Sequence, residues 1–338
     1  MAASSNDFSI SNTTVANQFT EEDSYPQDLR ESIISLPKQK GWLTPNIYNY
    51  KGVWLGSFHL HGALRSQQHF QAQDSDIMLC TLKKSGTTWL KALLFALITR
   101  KQFLVSQEIH PLLTTNPHTL IPGMEYEYAS EETPDFAMSN GRRLLSTHLP
   151  QSLLPKSVWE SKCKVVYLCR NQKDTIVSFW HFMNKLRGDV QGLGDIPFPE
   201  AFDRYCRGES LYGPFWDHLL GYWKESLENP RKVLFLKYEE IKDRPHVHLK
   251  RIAAFLDCPF SEEEECGVVD GILRLCSFER LSNLEVNKTG KTVFMQAGNN
   301  LFFRKGKVGD WRNYLTDEMA SRLDQIVDEK FKGTGLKL

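Results

Sequence analysis

The order of its elements constrains this chain most: short apolar runs recur, each followed by a polar turn and then a helix-forming stretch. Residues 76–82 (DIMLCTL) are the first such run. A nearly continuous apolar run of this length suits a strand buried on both faces. A Lys-Ser-Gly-Thr-Thr turn follows, and residues 89–98 (WLKALLFALI) are apolar enough for a buried helix. Residues 143–146 read as a second strand ending at Thr147 and His148. Residues 164–169 (KVVYLC) form a third, ending at Arg170, with Asp174 placed to cap a helix that runs through Lys185. Residues 231–236 (RKVLFL) form a fourth, ending at Lys237 and Tyr238, before a helix over 246–256. This alternation predicts an α/β fold, a single domain with a central, mostly parallel sheet flanked by helices. Ligands of such sheets gather outside the carboxyl ends of the strands. Here those ends carry Lys84, His148, Arg170 and Tyr238.

Charge and cysteine usage narrow the function. Basic and acidic residues are equal in number, 41 each, so a whole-surface attraction to nucleic acid or anionic membrane is not expected. Any anion site must come from a local cluster. The seven cysteines stand singly, at Cys80, Cys163, Cys169, Cys206, Cys258, Cys266 and Cys276. An odd count without a CxxC pair points to reduced thiols in a reducing compartment. The first 25 residues are rich in Ser, Asn and Thr and lack the pattern of a signal or transit peptide. Residues 1–30 are read as a disordered segment and residues 31–338 as the domain. No apolar stretch has the length to cross a bilayer. The location expected is cytoplasmic.

Four short segments carry chemistry. In residues 81–89 (TLKKSGTTW), Gly86 lets the backbone approach a phosphate, and the helix that follows offers unpaired N–H groups. Lys84 adds charge, and Ser85, Thr87 and Thr88 add hydroxyls. This is a P-loop-like strand–loop–helix but not the Walker pattern, because the lysine precedes the glycine. Taken alone, it fits a phosphate site and an ordinary capped turn equally well. His148, in STHLP, fits a general base, although a lone histidine is more often structural. Arg170 and Ser178, eight residues apart across a strand–helix junction, can face one phosphate. Arg304-Lys305-Gly306 repeats that chemistry with two cations and a glycine, on a tail able to fold back as a lid.

Together these segments resemble the cytosolic sulfotransferase family, in its plant branch, from about residue 40 to the end. The motifs stand in order: KSGTTW at 84–89, THLP at 147–150, CRNQKDTIVSFWHF at 169–182, KYEEIK at 237–242, CSFERL at 276–281 and FFRKGKVGDWRNYL at 302–315. The resemblance implies 3′-phosphoadenylyl sulfate as co-substrate, a small-molecule hydroxyl acceptor and no metal. It places Lys84, Ser85, Gly86, Thr87, Thr88 and Trp89 around the 5′-phosphosulfate. It places Arg170, Ser178, Arg304, Lys305 and Gly306 at the 3′-phosphate. Trp89, Tyr238 and Phe278 then border the adenine, and Cys276 joins the nucleotide site. His148 is the implied base, with Lys84 opposite the leaving phosphate oxygen.

Three positions depart from the family pattern. Lys83 replaces the usual proline and is expected to make the loop more positive. Ser146 stands where many animal relatives have lysine. The animal dimerisation motif is matched by Lys288, Thr292 and Val293 but has Ala297 in place of glutamate, which leaves monomer and weak homodimer both open. Pocket walls are expected from residues 110–128 and 182–194 and from the region near Trp54. The acceptor classes of the plant branch are flavonols, brassinosteroids, hydroxyjasmonates and desulfoglucosinolates, and a phenolic such as a flavonol is the first choice. An ATP-dependent small-molecule kinase is the alternative; it calls for a Walker lysine and an acidic magnesium ligand, neither evident. A non-catalytic nucleotide-binding relative calls for loss of His148 or Lys84, and both are present. The histidine pairs at 59/61 and 246/248 are read as surface or packing residues, and Ser261 as a cap for the acidic run at 262–265.

Overall fold

The computed structural model describes residues 27–104, 109–131, 133–139, 141–265, 267–292 and 297–338. Residues 1–26, most of the segment expected to be disordered, lie outside these. A helix α1, Gln27–Ile34, straddles the boundary drawn at residue 30. A small antiparallel sheet follows, formed by β1 (Lys38–Lys40), β2 (Asn46–Tyr50) and β3 (Val53–Leu55). The main sheet has five strands: β4 (Ile77–Thr81), β5 (Met138–Ser139), β6 (Arg142–Thr147), β7 (Lys164–Cys169) and β8 (Val233–Lys237). Their spatial order is β5-β6-β4-β7-β8, and all pairs are parallel except β5 with β6. The structure is thus the expected α/β fold.

Alternate residues of the central strands feed two separate cores. Met78 and Cys80 of β4, Val165, Tyr167 and Cys169 of β7, and Val233 and Phe235 of β8 face one layer. Ile77 and Leu79, Val166 and Leu168, and Leu234 and Leu236 face the other. Burial on both faces is why these strands read as unbroken apolar runs. One layer is supplied by α3, Thr87–Thr99, in which even the residues away from the sheet are buried. The other includes α5 (Gln172–Gln191) and α6 (Phe215–Glu228).

The register brings the functional strand ends level. Cys80 pairs with Thr147 on one side and Tyr167 on the other, and Cys169 pairs with Lys237. Lys83 and Lys84, His148, Arg170 and Tyr238 therefore leave the sheet along one edge. One sequence expectation is corrected here: Asp174 is not the cap of α5. Asn171 caps that helix, its Oδ1 accepting from the Lys173 N–H at 3.0 Å. Asp174 sits in the first turn, fully buried, and accepts from the backbone N–H groups of Gly309 (2.7 Å) and Trp311 (3.0 Å). It ties the C-terminal segment to the sheet edge. Ser261 does cap its acidic helix: Glu264 donates its N–H to Ser261 Oγ and accepts the Ser261 N–H in return.

The last positioning device is a helix crossing. Helix α2, Ser57–His69, meets α4, Met124–Ser130, at Gly62. A Cβ on Gly62 would fall 1.7 Å from the Glu125 carbonyl oxygen, so only glycine permits this approach. Gly62→Ala must push α4 outward and is expected to destabilise the fold by about 1–3 kcal/mol, outweighing the better helix propensity of alanine. A urea midpoint equal to or above that of the unmodified protein would contradict this packing argument.

Candidate active site

The phosphate-type loop is built as a donor-rich turn. Lys84 has φ of +68° and Gly86 φ of +106°, both in the left-handed region. Glycine suits the second position for two reasons: its φ and the lack of space, since a Cβ there would lie 2.7 Å from Tyr238 Cδ2. The chain then enters α3 with its first N–H groups unpaired by any helical partner. Lys84 and the residues Gly86 to Trp89 line a cavity of about 520 Å³. Arg170, Ser178, Tyr238, Phe278, Arg304, Lys305 and Gly306 line the same cavity.

These cations outnumber the carboxylates paired with them, Asp174 and Asp310. Arg170 is 6% exposed; its guanidinium donates to the Lys307 carbonyl at 2.8 Å and lies 4.7 Å over the Tyr238 ring. The Lys84 ammonium lies 4.4 Å over the Phe182 ring, and burial together with repulsion from Arg170 and Arg304 lowers its pKa to about 7. Among the described residues, two buried donors on side chains that line this cavity have no partner: Arg170 Nε and Arg304 Nε. Unpaired buried donors are costly, and an anion with several acceptor oxygens would satisfy them. Asp310 holds the tail cations meanwhile, accepting from Arg304 at 2.5 Å and Lys305 at 2.8 Å. Burial works against its charge, but the hydrogen bonds from Lys305, Arg304 and Asn313 outweigh it and depress the carboxyl pKa. Trp89 and Tyr238 meet edge to face at 5.5 Å, and Gly306 packs so closely on Phe278 that a Cβ would lie 2.5 Å from it. The result is an aromatic slot next to a cationic pocket.

His148 faces the cavity from the neighbouring strand end. Its Nδ1 lies 2.8 Å from the Thr81 carbonyl. A carbonyl only accepts, so Nδ1 carries the hydrogen and Nε2 keeps its lone pair. The backbone is held too: the His148 N–H donates to Glu125 Oε1 (2.8 Å), and its carbonyl accepts from His218 Nε2 (2.9 Å). The Tyr167 hydroxyl donates to His218 Nδ1 in turn. Burial, followed by the Lys83 charge, keeps the His148 pKa well below its ordinary value. The ring is therefore neutral at working pH.

Three readings from sequence do not match this geometry. Ser85 and Cys276 are fully buried and do not form the cavity wall; Ser277, beside Cys276, does. Trp54 is also absent from the wall; its backbone pairs with Tyr212 and Gly213. Lys83 does not join the phosphate cluster. Its Nζ donates to Tyr126 Oη at 2.5 Å and lies between the Tyr126 and Tyr212 rings. His118, Thr119, Gly123, Glu125, Tyr126, Glu127 and Phe182 do line the cavity. Ser146 also lines it and donates its hydroxyl to the Pro122 carbonyl. Of the segment compared with the dimerisation motif, Val293 lies outside the described residues. Sequence reading missed Lys91 and gave Glu125, Tyr126 and His118 no role beyond their segment. Lys91 donates to His118 Nδ1 and to the Ile121 carbonyl, and His118 Nε2 meets Thr88 Oγ1 at 2.9 Å. No spacing rule relates these residues to the loop; only the fold does.

A sulfotransferase domain matches residues 74–335. The chain is 49% identical to cytosolic sulfotransferase 12 of Arabidopsis thaliana over 97% of its own length and 99% of that protein. It belongs to the sulfotransferase family, in its plant branch. The crystal structure of a putative steroid sulphotransferase from A. thaliana superposes with a TM-score of 0.74 at 45% identity, covering 92% of this chain and 95% of that one. A mouse sulfotransferase crystallised with PAP gives 0.65 at 28% identity, covering 85% and 95%. In this sulfotransferase, among the described residues, no helix is long and apolar enough to cross a membrane, and no group of three or more metal-ligating side chains is found. The six described cysteines are free thiols, and Cys266 lies outside the described residues.

Buried histidines give this site a pH signature. Burial lowers the pKa of His59, His118, His148 and His218, the last to about 4. The folded state keeps all four neutral, whereas the unfolded chain takes up protons below about pH 6.5. Their contribution is thus complete above that value and lost as pH falls. Glu127, raised to about 7 by burial, acts in the opposite sense, as do Glu239 and Asp217, which burial also raises. The urea midpoint is expected to drop between pH 7 and pH 5; a level or rising midpoint would contradict the neutral, buried assignment.

Proposed function

We propose that the protein is a cytosolic enzyme that moves the sulfuryl group of 3′-phosphoadenylyl sulfate to a hydroxyl of a small lipophilic or phenolic acceptor. One observation carries the reading. A cluster of buried cations with unsatisfied donors and a neutral histidine with an available Nε2 share one cavity. The fit to the co-substrate rests on those donors, on the aromatic slot beside them, and on the close backbone approach at Gly86 and Gly306. The relatives named cytosolic support the location, and the mouse structure with PAP supports the nucleotide.

The bound co-substrate supplies an activated sulfuryl group. Arg170, Ser178, Arg304, Lys305 and the Gly306 backbone grip the 3′-phosphate, and the loop N–H groups with Lys84 hold the 5′ end. His148 Nε2 takes the proton of the acceptor hydroxyl, a poor nucleophile until a base receives it. Thr81 fixes the tautomer that makes this possible. Lys84 meets the charge that grows on the departing phosphate oxygen, and an anion there favours its protonated form. Placement of the two substrates in one enclosed cavity lowers the barrier further. The apolar and aromatic side chains around His148 suit a flat or lipophilic alcohol or phenol.

Transfer of label from 3′-phosphoadenylyl [35S]sulfate to a panel of phenols and alcohols tests the reaction. Calorimetry with adenosine 3′,5′-bisphosphate tests the donor site by itself, and absence of binding would defeat the reading. His148→Ala is expected to lower kcat by about 10²–10⁴-fold with bisphosphate affinity nearly intact. Arg304→Ala is expected to weaken bisphosphate binding instead, by about tenfold or more. Undiminished turnover in His148→Ala would remove His148 from the base role.

A further inference from the structure

Lys83 occupies a place that the donor chemistry does not use. It is 8% exposed, yet its side chain lines the cavity. Its ammonium lies 5.2 Å from the Tyr126 ring centre and 5.5 Å from that of Tyr212. Those same two rings flank His148, at 6.4 and 5.5 Å. Base and cation thus sit against one pair of tyrosines, in the half of the cavity where the acceptor must place its hydroxyl. An ammonium has three N–H donors, and among the described residues Lys83 makes one hydrogen bond, to Tyr126.

The neighbouring charges do not cap it. Glu125 raises the pKa of Lys83 but makes no ion pair with it; its Oε1 is taken by the His148 N–H and the Tyr212 hydroxyl, and its buried Oε2 has no hydrogen-bond partner among the described residues. Lys84 belongs to the phosphate cluster, and Lys91 is turned to His118 and the Ile121 carbonyl. Burial lowers Lys83 to about 8, so it stays largely protonated at neutral pH. Lys91, at about 7, is half discharged there. A charged, buried ammonium with donors to spare is paid for when an anion enters beside it.

We propose that Lys83 is a specificity-determining residue for an acceptor that carries, besides the hydroxyl it offers to His148, an anionic oxygen group such as a carboxylate. This rests on the sulfotransferase reading above and narrows its acceptor class. The carboxylate takes the remaining Lys83 donors while the ring or chain that bears it lies along Tyr126, which lines the cavity.

The test compares 4-hydroxycinnamic acid with its methyl ester, two probes that share the phenol and differ in charge. The unmodified enzyme is expected to favour the acid in kcat/KM by about 10–100-fold, the range of a hydrogen bond to a charged group. Lys83→Met is expected to erase that preference, and Lys83→Arg, which keeps the cation, to retain most of it. The same comparison is made as equilibrium binding to enzyme saturated with adenosine 3′,5′-bisphosphate, which reads the preference even without turnover. Bisphosphate binding by Lys83→Met shows that the variant is folded. Equal or better use of the ester by the unmodified enzyme, binding of neither probe, or an unchanged ratio in Lys83→Met would each overturn the proposal while leaving the sulfotransferase reading in place. Failure of the bisphosphate itself to bind would overturn both.

Discussion

The hydrogen bond from His148 Nδ1 to the Thr81 carbonyl, 2.8 Å long, is the contact on which the site depends. It joins the ends of two adjacent parallel strands, one leading into the phosphate-type loop and the other into the candidate base. It exists only because Cys80 and Thr147 are in register, which puts residue 81 of β4 beside residue 148 just beyond β6. It also selects the tautomer. Were Nε2 the protonated nitrogen, the ring would present a donor to the acceptor hydroxyl and lose its use as a base. Around this bond the protein adds restraint on the main chain, with Glu125 on the His148 N–H and His218 on its carbonyl. The imidazole is aimed by four elements at once.

The second constraint is electrostatic. Lys84, Arg170 and Arg304 are brought close enough to repel one another, and that repulsion adds to burial in lowering Lys84. The cost is contained by Asp174 and Asp310. Asp174 lies 3.5 Å from the Arg170 guanidinium and also fastens the backbone of the tail segment. Asp310 clasps Arg304 and Lys305. Each carboxylate thus combines charge balance with positioning, leaving some donors of the cluster unmatched. Such a pocket is ready for an anion before it arrives, and its dipoles need little rearrangement when charge shifts within it.

The central strands were legible because burial on both faces writes an unbroken apolar run, and residues 164–169 are β7 to the residue. The strand-end residues were legible for the same reason, since parallel strands place their ligands at one edge. What could not be read is what depends on contacts distant in sequence. Asp174 looked like a helix cap from its local position, but its partners are Gly309 and Trp311, far along the chain. Cys276 and Ser277 differ by one residue in a helical turn, and only packing decides which of them reaches the cavity. Lys83 follows the same logic: adjacent to Lys84 in sequence, it finds its partners in Tyr126 and Tyr212, far along the chain. Glu125 and Tyr126 carry no motif, and their placement is set by the crossing of α2 and α4 at Gly62.

This difference in legibility has a consequence for how the molecule divides its work. The nucleotide half of the cavity is made of contiguous motifs on a strand–loop–helix turn and a short tail segment, where backbone geometry leaves few substitutions open. The half around Lys83, Tyr126 and Tyr212 is made of side chains from packed helices and loops, where size and charge can change without disturbing the sheet. A single exchange there alters the fit of a small molecule by an amount that matters for selection but not for folding. On the proposed reading, the reaction rests on the motif-bearing part of the cavity, and acceptor choice on the packed side chains beside His148. A cation at position 83, placed between the two tyrosines that also flank His148, changes the acceptor half without altering the machinery of transfer.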